Sequence, residues 1–302
     1  MMSVSIRPTV FSRVAAVALA MLCVIVLTGA LVRLTGSGLG CTDWPRCNEQ
    51  RFVDVSSGHA AIEQLNRLFT GLVSASVVAA VLTAHLRRPR RRDLIVLAWA
   101  LVAGVLAQVV IGGMVVLTGL NPWANMAHFL VSMVLVGTAF ALDRLSRVEN
   151  VSSLLRSVPA GVSRARWILA GASAVAVVTG TVVTATGPHA GDENAVRLGL
   201  ALESVARVHG TSVVLTVATI AVCMWRVRSD TTVAGRSARE ALSVLAFVAV
   251  LQGAVGYTQY LTGVPVFLVA VHIAGATAFW LAVCNFLLAP RPDEILPHTP
   301  VA

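Results

Sequence analysis

The 302-residue sequence is 57% hydrophobic and only 12% charged, with a mean hydropathy of +0.81, which leaves too little polar surface for a soluble globule. Its formal charge of +9 comes from 23 basic residues, all of them arginine and mostly gathered between apolar runs, so it reads as a topology signal more than as a nucleic-acid footprint. Composition thus excludes soluble folds and leaves an all-α integral membrane protein embedded in a lipid bilayer, because helices satisfy their backbone polar groups internally.

Taken in chain order, eight stretches are long enough to cross about 30 Å of hydrocarbon as helices. The first, roughly 14–34, lacks an A-x-A-like cleavage site and continues into Arg33-Leu34-Thr35-Gly36-Ser37-Gly38, so a retained helix is expected. The loop after it contains Cys41-Thr42-Asp43-Trp44-Pro45-Arg46-Cys47. In an oxidising compartment this short ring with a proline turn favours a Cys41–Cys47 disulfide. A metal site is disfavoured, because the spacing exceeds the usual C-x2-4-C and partner ligands are missing. The second span, roughly 62–84, opens on Glu63, Asn66 and Arg67, and the third, roughly 94–118, follows the basic run Arg87 to Arg92. The fourth, roughly 124–142, has His128 in its first turns. After a polar stretch come roughly 167–187, 206–225 with His209 near its start, 241–262, and 266–288 with His272 near its start. Cys23, Cys223 and Cys284 fall inside spans, where a small thiol packs easily.

The text of the first half recurs in the second. Gln108, Gly112, Leu117-Thr118-Gly119 and His128 are answered by Gln252, Gly256, Leu261-Thr262-Gly263 and His272, the two histidines being 144 positions apart. Thr28-Gly29 and Thr35-Gly36 are answered by Thr179-Gly180 and Thr186-Gly187. The expected organisation is two parallel four-helix halves, 1–145 and 167–302, joined by a cytoplasmic linker over 146–166. Arginine placement sets the orientation: 17 fall on one side and six on the other (Arg33, Arg46, Arg51, Arg67, Arg197 and Arg207), which puts both termini in the cytoplasm.

Ionisable groups at membrane depth are costly and point to function. His128, His209 and His272 lie at one depth in apolar sequence, whereas His85, His189 and His298 read as solvated or interfacial. For a lone histidine the bland role is a core ring bonded to a carbonyl, but His209 and His272 open the second and fourth helices of one half. Two imidazoles from facing helices can hold one haem iron on both axial faces. In the first half His128 fits the fourth helix, while the position answering His209 is Asn66, a poor iron ligand. A haem there is held on one face. Glu63 shares the Asn66 face one turn nearer the outside and is a candidate catalytic carboxylate, with a salt bridge to Arg67 as its alternative role. Arg33, Arg67 and Arg207 suit haem propionates, with snorkelling to the interface as the alternative. His59 would share the face of Glu63 and Asn66 if the helix began early, but Gly58 reads as loop and two turns place His59 about 10 Å further out.

On these residues the chain resembles the haem A synthase family of bacteria and mitochondria. The resemblance rests on Arg33 through Cys47, on Ile62-Glu63 through Asn66-Arg67, and on His128, His209 and His272, and it covers all eight spans. It implies oxidation of the C8 methyl of haem O to the formyl of haem A by successive hydroxylations. His209 and His272 would hold a haem b cofactor, the first half would take haem O as substrate, Glu63 would match an essential glutamate, and Cys41 and Cys47 a cysteine pair. It further implies a haem O synthase as donor, a haem-copper oxidase as recipient and an electron acceptor of unknown identity, and it is compatible with a homo-oligomer. Where this chain has Asn66, many members have histidine. Two other readings compete: a di-haem b-type electron-transfer cytochrome, which gains nothing from Glu63 or Asn66, and a transporter, for which broken mid-membrane helices and paired intramembrane charges are lacking.

Overall fold

The computed structural model describes residues 5–148 and 162–289. Most of the expected polar linker, 149–161, lies outside the described residues. Among those described, eight helices are long and apolar enough to cross a membrane. They are α1 (Pro8–Leu34), α2 (Gly58–Leu86), α3 (Arg92–Leu117), α4 (Pro122–Ser146), α5 (Ala165–Thr186), α6 (Leu202–Val227), α7 (Val233–Leu261) and α8 (Val266–Leu287).

Local chemistry sets the helix ends. Pro8 and Pro122 stand in the first turns of α1 and α4, where a missing N–H costs nothing. Ser57 caps α2 by accepting from Ala60 N at 3.1 Å, and Asn121 caps α4 by accepting from Trp123 N at 2.9 Å. The repeated Leu-Thr-Gly text proves to be a helix stop: α3 and α7 both end on a left-handed glycine, Gly119 at φ 62° and Gly263 at φ 76°. Several helices begin earlier than hydropathy predicts. α2 starts at Gly58, so the expectation that Gly58 is still loop is corrected, and α7 starts at Val233 because Thr232 caps it through Gly235 N at 3.0 Å.

Helices α1 to α4 pack in a ring, each against its sequence neighbours with α1 closing on α4, and α5 to α8 form a second ring in the same way. The halves meet through α4 with α5, α1 with α8, and α4 with α8. Exchanging the halves turns this set of contacts into itself. The seam is packed: Trp280 on α8 lies against Gly137 and donates from Nε1 to Met133 O on α4 at 2.9 Å. Each ring has its own core, one around Phe11, Leu94, Leu101 and Leu142, the other around Leu169, Ile220, Leu242 and Leu245.

Candidate haem sites

Both rings use one scaffold to hold their histidines near the end opposite the arginine-rich loops. Gln108 on α3 donates from Nε2 to His128 O on α4 at 2.9 Å, and Gln252 on α7 does the same to His272 O on α8 at 2.6 Å. These bonds fix the backbone carrying each imidazole. Gly112 and Gly256 clear the space beside the rings, since an added Cβ would meet Cε1 of His128 at 3.4 Å and Cε1 of His272 at 2.8 Å. In both histidines Nδ1 is buried with no protein partner.

The first and second helices of each ring complete the scaffold. In the second ring Thr179 Oγ1 sits 3.1 Å from His209 Nδ1 and donates to Val175 O at 2.8 Å. A hydroxyl that donates to that carbonyl can accept from Nδ1–H, and in that tautomer Nε2 of His209 keeps a free lone pair. His209 and His272 face each other with ring centroids 6.5 Å apart and planes at 89°. Among the described residues no cluster of three or more His, Cys, Asp or Glu forms a closed metal cage. A pair of imidazoles fits an iron whose remaining ligands a porphyrin would supply, and Gly180 widens the cleft beside His209, where a Cβ would meet Cε1 at 3.1 Å.

In the first ring Thr28 Oγ1 lies 2.8 Å from Asn66 Oδ1, in the place where Thr179 meets His209. The sequence reading missed these threonines as functional, although their repetition was the signal. Thr28 and Asn66 are 38 residues apart, against 30 for Thr179 and His209, so the first ring has the longer loop at this end. That loop is closed by a Cys41–Cys47 disulfide, as expected. It folds back over the ring: Trp44 packs on Gly113, where a Cβ would strike the indole Cδ1 at 2.6 Å, next to the Gly112 that borders His128. Gly113→Ala is expected to lower stability by about 1–3 kcal/mol through overpacking, read as a lower Tm. An unchanged Tm would mean that Trp44 does not depend on this notch.

Glu63 anchors the loop. Its Oε2 accepts from Cys41 N at 2.7 Å, and its Oε1 accepts from Arg67 Nη2 at 2.6 Å and Nε at 3.0 Å. Arg67 in turn donates to Asp43 O at 3.2 Å and Arg46 O at 3.0 Å and stacks 5.2 Å from the Trp44 ring centroid. The salt bridge weighed for Glu63 is thus present, one turn from Asn66, and both side chains are largely buried at 13% and 6% exposure. The structure does not bring every candidate to these centres. His59 bonds Ser37 Oγ through Nδ1 at 2.9 Å and sits in the first turn of α2. Arg207 is exposed and paired with Glu203. Arg33 lies five residues beyond Thr28, about 140° round the helix, and donates to His189 O in the other half.

A family model described as cytochrome oxidase assembly protein matches residues 12–284. The chain is similar to the heme A synthase of Geobacillus kaustophilus, 36% identical over 106 residues, which is 35% of this chain and 33% of that protein. It is likewise similar to the heme A synthase of Listeria welshimeri, 36% identical over 114 residues (37% of each chain), and to that of Lysinibacillus sphaericus, 32% identical over 135 residues (42% of this chain, 44% of that protein). The chain thus spans between a third and a half of the length of these relatives.

Proposed function

The chain belongs to the COX15-CtaA family of cytochrome oxidase assembly proteins, and from that premise we propose that it is a multi-pass enzyme of the cell membrane that oxidises the C8 methyl of haem O to the formyl of haem A. The observation that carries this reading is one scaffold used twice with different endings, a histidine pair in the second ring and His128 with Asn66 in the first. The relatives named heme A synthase support it.

In this reading His209 and His272 hold haem b, which when bound supplies a one-electron redox centre. Thr179 keeps the His209 tautomer, and Gln252 keeps the α8 backbone in register. His128 would hold the iron of haem O, Asn66 supplies no second imidazole, and the loop anchored by Glu63 and Arg67 holds Trp44 over the site and excludes water. At the same end Arg67 is committed to Glu63 and the loop carbonyls of Asp43 and Arg46, and Arg207 to Glu203. With the arginine-rich loops at the end opposite the histidines, the histidine end is the outer one and both termini are cytoplasmic. A haem O synthase hands over the substrate, an acceptor outside the chain takes the electrons, and a haem-copper oxidase receives the product. The di-haem electron-transfer reading has no use for the Asn66 substitution or the Glu63 clamp.

Co-expression with a haem O synthase in a host that makes no haem A tests the activity. Haem A or its hydroxylated precursor among the extracted haems is the expected result; only haem B and untouched haem O, from folded and haem-loaded protein, would refute it. Thr179→Val is expected to weaken haem b binding by about 10–100-fold and to raise its midpoint potential, because the Nδ1–H loses its hydroxyl acceptor and the imidazole becomes a poorer donor. An unchanged potential in a redox titration would remove Thr179 from this role.

A further inference from the structure

We propose that Arg33 and Arg197, with the cavity beside Arg33, form a binding site for an anionic oxygen group, a phosphate or a carboxylate, in the seam between the halves. Arg33 from the last turn of α1 and Arg197 from the α5–α6 loop donate to consecutive carbonyls, His189 O and Pro188 O, so two guanidinium groups are held side by side. Neither is in an ion pair among the described residues. The nearby carboxylate of Asp192 turns instead to Asn194 N at 2.8 Å. Nη1 of Arg197 is buried without a partner, and burial pushes this guanidinium below its ordinary pKa. Adjacent like charges repel, and a partly buried guanidinium with no counter-charge is costly. An incoming anion relieves both.

Room for it exists. A cavity of about 30 Å³ is lined by Arg33, Asn125, Thr181 and Thr184 among apolar neighbours that include Val196, next to Arg197. The Thr184 hydroxyl has no hydrogen-bond partner among the described residues, so it is free to donate. This cavity is distinct from the histidine clefts: Thr184 lies five residues beyond Thr179, as Arg33 does beyond Thr28, and each is turned about 140° round its helix from the haem-facing threonine. The pocket opens at the end where a phospholipid headgroup or a haem propionate would lie. A bidentate arginine favours either oxyanion over chloride.

Thermal unfolding of the full chain in detergent tests the site, with chloride exchanged for inorganic phosphate at constant ionic strength and, separately, with phosphatidylglycerol or phosphatidylcholine added to the micelles. Phosphate and phosphatidylglycerol are expected to raise Tm by about 3 °C or more, with no effect of phosphatidylcholine. The rise should vanish in Arg197→Gln and persist in Arg51→Gln. Thr184→Asp, which puts a carboxylate into the cavity, should be stabilised without added anion and be insensitive to phosphate. If the rise persists in haem-loaded protein the occupant is a lipid or free phosphate; if it appears only in the haem-free His209→Ala/His272→Ala protein the occupant is a propionate. Equal Tm in chloride and phosphate with both haem-loaded and haem-free protein, or an undiminished rise in both Arg197→Gln and Thr184→Asp, would overturn the proposal.

Discussion

Glu63→Gln is expected to reduce haem A formation by at least about 100-fold while leaving haem b bound. The carboxylate accepts two bonds from Arg67 and one from Cys41 N, and glutamine keeps the shape but not the charge. Removing one partner of a buried pair strands the other, at a cost of about 3–5 kcal/mol, so Arg67 must turn towards water and release the carbonyls of Asp43 and Arg46. Trp44 then loses its cover from Arg67, and the first ring its lid. The second ring uses other helices for its histidines and should keep its cofactor. Haem b content by pyridine haemochrome and product by mass are the two readouts. Full activity in Glu63→Gln would show that neither the charge nor the clamp serves the reaction.

Asn66→His is expected to build a second six-coordinate site. Thr28 already stands where Thr179 meets His209, and a Cβ on Gly29 would meet nothing within 4 Å, whereas one on Gly180 would press on His209 at 3.1 Å. The first ring therefore has free space at the position of the shorter side chain. The variant should bind two low-spin haems in place of one, visible as a doubled low-spin signal in electron paramagnetic resonance. Product yield is expected to stay within about tenfold of the parent chain if methyl placement matters more than iron coordination. A single low-spin haem in the folded variant would mean that the two rings do not share a scaffold.

The helices were legible because apolar run length depends on residues near in sequence. Helix ends were less so. α7 begins at Val233, well before the apolar run, because Arg236, Arg239 and Glu240 extend the helix beyond the stretch that hydropathy detects. The disulfide was readable from the short Cys41–Cys47 ring, its proline turn and the oxidising side on which the loop is expected. The direction of Glu63 was not, since it depends on a loop that folds back across α2 and α3, a contact over 22 residues with no periodic trace. Thr28, Thr179, Gln108 and Gln252 were visible as repeats, yet what they touch is a property of the packed rings. Arg33 had the chemistry of a haem neighbour, but five residues of helical rotation turn it to the seam.

The division of labour between the rings is tested most directly by the haems that copurify with His128→Ala and His272→Ala, each expressed with a haem O synthase and identified by mass after extraction. The account predicts that His272→Ala loses haem b, and that His128→Ala keeps haem b but neither holds haem O nor yields haem A. Loss of the same haem from both variants, or haem b retained in His272→Ala, would contradict it.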